Sequence, residues 1–313
     1  MRRNLTLGFL VILIAVASCS FTNKSFETND KDKLLLDLIT YVLERGHYEP
    51  KNINDDFSVN VFEDFINVID PTKRYFLKED IAEFEQYKFQ IDDQIKNTDI
   101  TFFEVVYDRL MKRMDEAKTI YKEILAEPFD YSANESIDID YEKQDFAASK
   151  AELRERWRKQ LKLNTIGTYD SKLNSSTEED DTEKPSKEQI EKEAREATLT
   201  TLNEFFDFVD DLERKDWFVQ YINTIVDEFD PHTYYFAPED KDKFDISMSG
   251  KFEGIGARLQ KKAEGARIVE IISGGPVWRN QQLEVGDEIL KVGQNGEPPV
   301  NIVGMRLDDA IKL

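Results

Sequence analysis

The sequence predicts two architectures in series, an all-α region followed by a small α+β module. Three observations carry this. Apolar residues between about 31 and 245 recur at helical spacing. Only one glycine, Gly167, lies between residues 47 and 249, and ten of the 13 glycines lie between 250 and 313. Helix interiors disfavour glycine, whereas tight turns and close backbone approaches need it. A length of 313 residues suits about two domains.

The N-terminal stretch stands outside both. Met1–Cys19 carries Arg2 and Arg3, an apolar run from Leu5 to Ala17, and then Val16-Ala17-Ser18-Cys19. That run falls short of the ~20 residues that span a bilayer. A basic start, a short apolar centre and small residues before a cleavage point make residues 1–18 an export signal, set aside from fold reasoning. Cys19, the only cysteine, sits where a lipoprotein signal places its acylated thiol. Two or more acyl chains would hold the mature chain on a bilayer, at about 0.8 kcal/mol per buried CH2. Residues 19–30 are then a tether. The expected location is a bacterial cell envelope, lipid-anchored and facing the periplasm.

Residues 31–245 form the helical domain. Phe57, Val61, Phe62, Phe65, Ile66 and Ile69 line one face of a helix. Phe218, Tyr221, Ile222, Ile225 and Phe229 line another. Between them, residues 171–188 are polar, acidic and nearly free of apolar side chains, which predicts a solvated insertion. One segment repeats without a gap at an offset of 160: Asp70-Pro71-Thr72-Lys73-Arg74-Tyr75-Phe76 and Asp230-Pro231-His232-Thr233-Tyr234-Tyr235-Phe236, each followed, after two intervening residues, by Glu-Asp. Proline disfavours helical backbone at the preceding Asp, so each copy ends a helix. Tyr and Phe can then fold over the core, and Glu-Asp suits the first turn of the next helix. A catalytic role for His232 or these aspartates is the other reading; the first copy has Thr72 in place of His232, which favours a corner.

Residues 246–313 change character. Gly254-Ile255-Gly256-Ala257 leads into the alternating Arg258-Leu259-Gln260. A β-branched stretch to Ile272 follows, then Ser273-Gly274-Gly275-Pro276, the strand-like Leu283–Val292 containing Gly286-Asp287, and a helical Arg306–Leu313. Gly254 and Gly256 lack a Cβ, so the backbone can turn sharply and aim successive N–H groups into one concavity.

That order resembles a PDZ domain. The helical region resembles the N-terminal domain of tail-specific (carboxy-terminal processing) proteases in three stretches: FINVIDPTKRYFLKEDI at 65–81, PFDYSANESIDIDYEKQDF at 128–146 and RERWRKQLK at 154–162. The resemblance implies that amides around Gly254, Ile255, Gly256 and Ala257 bind the terminal carboxylate of a protein tail. The tail would run as an added strand beside β-structure at 257–260. Leu259, Leu307 and Ile311, with Ile255, would line a pocket for apolar terminal side chains. In this family a protease core with a serine nucleophile and a lysine base follows. No G-x-S-x-G or S-x-x-K occurs in this chain, so no catalytic residue is assigned to it. The sequence ends at Leu313, inside or just after the groove helix, so the PDZ module reads as incomplete and the chain as the N-terminal part of a longer protease, inactive alone.

Composition limits the partners. A net charge of −22 leaves no basic face for a phosphate backbone, which excludes nucleic acid. One Cys and two His provide neither an internal disulfide nor a zinc cluster, so no metal or other cofactor is expected. The expected partners are C-terminal tails of substrate proteins and, through acylated Cys19, a lipid bilayer. An accessory lipoprotein adaptor is a further partner the family reading allows. The alternative function is a non-catalytic periplasmic PDZ adaptor lipoprotein.

Overall fold

A computed structural model describes residues 28–175, 185–249, 254–262, 265–294 and 296–313. Cys19 and the export signal lie outside the described residues. Between Tyr235 and Phe236 the chain divides into two compact units.

The first unit is helical: α1 (Thr28–Gly46), α2 (Asp55–Ile69), α3 (Lys78–Phe84), α4 (Ile91–Lys96), α5 (Thr101–Ala126), α6 (Lys150–Ser175), α7 (Lys187–Asp211) and α8 (Arg214–Asp227). Asn54 caps α2 by accepting from the Phe57 N–H at 3.1 Å. Every residue of the two sequence-read stripes is buried. They meet through Phe65 against Tyr221, with ring centroids 5.1 Å apart, and Phe57 against Phe229 at 5.5 Å. Edge-to-face contacts of this kind add to area burial.

The repeated segment forms the same backbone turn twice: Lys73 N–H donates to the Asp70 carbonyl at 3.0 Å and Thr233 N–H to the Asp230 carbonyl at 2.9 Å. The side chains diverge. The buried Asp70 carboxylate accepts from the N–H groups of Arg74, Tyr75 and Phe76 at 2.9, 3.0 and 2.9 Å, which curls both aromatics into the core. Asp230 instead accepts from His232 N–H and Thr233 Oγ1. There Asn223 of α8 holds the Tyr235 backbone at both its N–H and its carbonyl. Tyr235, the counterpart of Tyr75, is only partly buried against the core, and Phe236, the counterpart of Phe76, stays 40% exposed, so the expected aromatic cap is complete only in the first copy.

The three stretches that carry the family resemblance pack on one another. Trp157 Nε1 donates to the Arg74 carbonyl at 2.9 Å, Arg156 to the Asp145 carbonyl at 2.7 Å and Tyr141 to Gln160 at 2.7 Å. Lys78 N–H donates to the Ala147 carbonyl, making a parallel bridge between Leu77 and Ala147. Beneath them the buried Asp80 accepts from the Leu77 N–H at 2.8 Å, from Arg113 Nε and Nη2, each at 2.8 Å, and from Arg109.

Three boundaries differ from the sequence reading. The 19–30 tether is helical from Thr28. The insertion at 171–188 is narrower, because α6 continues to Ser175 and α7 starts at Lys187, with Ser186 accepting from the Gln189 N–H as its cap. Polar composition there marks solvent-facing helix ends, which the Lys172–Glu193 ion pair joins. The units separate near residue 235 rather than 245, since a further helix, α9 (Pro238–Ser249), belongs to the second unit.

The rest of that unit is α+β. Strands β1 (Ala257–Lys262), β2 (Gly265–Ile271) and β3 (Glu288–Ile289) form an antiparallel sheet in the order β1-β2-β3. A second pair is β4 (Lys291–Val292) with β5 (Val300–Asn301). Two short helices are α10 (Pro276–Asn280) and α11 (Leu307–Ile311). The single strand read at Leu283–Val292 is broken at Leu290, whose carbonyl accepts from Ile302 N–H, so the chain passes from one sheet to the other there. Arg258 opposite Glu270, at 2.8 Å, and Arg267 opposite Glu288, at 2.6 Å, reinforce the register.

Candidate functional site

The candidate site is the loop entering β1. Gly256 has φ +78°, and a Cβ there would stand 2.8 Å from the Gly275 Cα. The Gly275 position is equally tight, with Gly256 Cα 2.9 Å from its own would-be Cβ. The loop is therefore backed against the 273–276 turn, glycine to glycine. Sequence reasoning gave that turn no part in the site. Its signal was the second of two glycines before Pro276, one more than a turn requires.

The positive φ at Gly256 decides where the amides face. In a regular strand successive carbonyls alternate sides. Here the Ile255 carbonyl accepts from Val277 N–H at 3.0 Å and the Gly256 carbonyl from Ile272 N–H at 2.9 Å, so both point at the 272–277 turn. Among the described residues no peptide bond is cis. A trans peptide sets each following N–H opposite its carbonyl. The N–H groups of Gly256 and Ala257 are thus both directed away from that turn. Two successive amides facing one side are a ready receptor for an anion.

Alongside the loop, β1 is an edge strand, paired among the described residues with β2 alone. A register shift between Arg258 and Leu259 skips Val269 and adds twist at the start of that edge. Leu259 and Leu307 are partly buried and pack on the same cluster, Ala266, Ile302 and Ala310. Ile255 and Ile311 are 43% and 61% exposed. Of the four expected pocket residues, two therefore also hold the unit's core together and two are open to solvent.

Other candidates carry less chemistry. His232 is 89% exposed by side chain and hydrogen-bonds Asp230 at 3.0 Å, a surface turn. A cleft of about 300 Å³ in the helical unit is lined by Glu123, Phe129, Arg154, Glu155 and Arg158 among others. Its cations are engaged: Arg154 by Glu123, Arg158 by Glu155 and Glu135. The Arg158 and Lys162 contacts bring the Glu135 carboxyl down to about 2. Among the described residues no group of three or more His, Cys, Asp or Glu side chains is arranged to hold a metal ion, and no helix is long and apolar enough to cross a membrane.

Residues 39–239 match the family model described as tail specific protease N-terminal domain, and residues 243–313 match the PDZ domain. The chain is similar to a tail-specific protease of Haemophilus influenzae, 28% identical over 285 residues, which cover 91% of this chain and 39% of that protein. It is also similar to the carboxy-terminal processing protease CtpA of Bacillus subtilis, 34% identical over 84 residues, 27% of this chain and 17% of that one. A probable CtpA-like serine protease of Staphylococcus aureus strain COL is 35% identical over 83 residues, 26% of this chain and 16% of that one. The chain thus spans 39% or less of the length of these relatives.

Proposed function

The chain belongs to the tail-specific protease N-terminal domain family, and on that premise we propose that it serves a cell-envelope protease as anchor and tail receptor. The PDZ unit captures the free C-terminus of a substrate protein. The carboxylate sits on the amides of the 254–257 loop, the tail adds as a strand to the open edge of β1, and an apolar terminal side chain lies against Leu259, Leu307, Ile255 and Ile311. Cleavage is assigned to a serine nucleophile with a lysine base in sequence beyond these residues. Cys19, acylated, holds the protein on a membrane facing the periplasm.

The observation that carries this reading is the pair of Gly256 and Ala257 amides turned to one side beside an edge strand. Hydrogen bonds to a charged group contribute about 1.5–3 kcal/mol, so removing the carboxylate should weaken binding roughly ten- to hundredfold. The test is fluorescence anisotropy with one labelled peptide ending in apolar residues, prepared as free acid and as C-terminal amide. Equal affinities would rule out the carboxylate receptor. The anchor is tested separately by the mass of the N-terminal peptide: an unmodified Cys19 thiol would remove that part.

A further inference from the structure

Helix α1 is apolar on two faces. Leu36 and Leu43 are buried, while Leu34, Leu38, Tyr41 and Val42 are 60%, 55%, 61% and 52% exposed. These four fall at i, i+4, i+7 and i+8 and so form one stripe opposite the buried leucines. Lys31 and Arg45 project on the same side near its two ends, and the Arg45 guanidinium lies 5.9 Å from the Tyr41 ring centroid. The acidic Asp37 and Glu44 fall along one flank. Contiguous apolar surface rimmed by polar groups marks a contact face.

We propose that this stripe is a membrane-contact face, seated in the headgroup layer of the bilayer that holds Cys19 and fixing how the helical unit stands on it. The inference rests on the acylation of Cys19 proposed above. Chain length selects the occupant. Thr28, the first residue of α1, follows Cys19 by nine residues, a reach of no more than about 32 Å even when extended. Every anchored molecule therefore keeps the stripe close to the lipid, where high effective concentration lets a face too weak to bind from solution engage. Its chemistry suits the place, with leucine and valine for the acyl boundary, tyrosine for the interface and two cations for the phosphates. The net charge of −22 disfavours strongly anionic membranes, so zwitterionic headgroups are the expected contact.

The test uses the full chain produced in a bacterial host and reconstituted into phosphatidylethanolamine–phosphatidylcholine vesicles. Photoreactive benzoylphenylalanine replaces Leu38 or, as an equally apolar control 62% exposed, Phe208 of α7. Mass spectrometry reads both the acylation of Cys19 and the photo-adduct. Phospholipid adducts about tenfold more abundant at position 38 than at position 208 are expected. Acylated Cys19 without lipid adducts at position 38 overturns the contact and leaves the anchor standing. Adducts to protein at position 38, including a second copy, overturn it in favour of a protein interface. Unmodified Cys19 overturns the anchor and this inference together. The double variant Leu38→Glu, Val42→Glu, altering exposed positions only, should keep the helical signal in circular dichroism and reduce lipid adducts from benzoylphenylalanine at position 41 to the level at position 208; undiminished lipid adducts there would likewise overturn the contact.

Discussion

At Gly256 two constraints fall on one atom that is absent: a φ of +78° and the Gly275 backbone 2.8 Å from where a Cβ would be. Left-handed backbone costs an L-residue about 1–2 kcal/mol, and the contact adds to it. Gly256→Ala should therefore destabilise the second unit by about 2 kcal/mol and reduce peptide affinity at least tenfold, because any relief of strain turns the two amides apart. Denaturant titration and anisotropy measure the two effects; an unaltered affinity would contradict the site. Gly167 is the opposite case. It lies within α6 with no heavy atom within 4 Å of a would-be Cβ, so Gly167→Ala should stabilise the helical unit by about 0.5–1 kcal/mol, read as a higher urea midpoint. Two glycines of such different meaning look alike as letters. Gly256 was legible because it stands in a G-x-G before an alternating strand, whereas Gly275 acts by touching a residue 19 positions earlier, which no local pattern reveals.

Among the elements, α3 depends most on one carboxylate. Burial works to raise the Asp80 carboxyl, but hydrogen bonds from Arg113, the Leu77 amide and Arg109 outweigh it, and its folded value is held below the ordinary 3.8. The folded state thus resists protonation there. The stabilisation is complete above the unfolded carboxylate's range, about pH 4, and is lost as pH falls through the lower folded value. Asp80→Asn should cost up to about 3 kcal/mol at neutral pH, since it removes the buried carboxylate that Arg113 and Arg109 share and leaves Arg113 only the more exposed Glu79 and Glu116, and should flatten the loss of stability below about pH 4. Urea titrations at neutral and acid pH check both; an acid limb as steep as in the parent would assign the pH dependence elsewhere. The same element explains what the sequence conveyed. Helices α2 and α8 were readable because amphipathic spacing is local, and the Asp-Pro corner because proline acts on its immediate neighbour. That Trp157, Arg74 and Ala147 assemble over Asp80 was not, since those contacts join segments separated by 67 residues or more. The second corner looked like the first, yet there Asn223 holds the Tyr235 backbone, and Tyr235 is only partly buried where Tyr75 is fully so. Identical letters at 160 residues' distance met different neighbours.

For the whole molecule, the two units hold very different cores. Large side chains including Phe65, Phe76, Phe102, Phe103, Tyr121, Trp157 and Tyr221 fill the helical unit, whereas the second unit's buried cluster among the described residues is Ala266, Ile302 and Ala310. Apolar burial contributes about 25 cal/mol per Å², so the second unit should unfold first in denaturant. A ligand that binds only a folded unit stabilises that unit by RT ln(1 + [L]/Kd), about 2.7 kcal/mol at a hundredfold excess over Kd. A free-acid peptide should therefore move the first transition to higher guanidinium and leave the second where it was, while its amide moves neither. The fluorescence of Trp278 reports one unit and that of Trp157 and Trp217 the other, so single-tryptophan variants resolve the transitions. A peptide that shifted the helical transition instead would relocate the receptor to the first unit. A shift of both together would mean that the units unfold as one cooperative body, and that capture of a tail is felt throughout the chain.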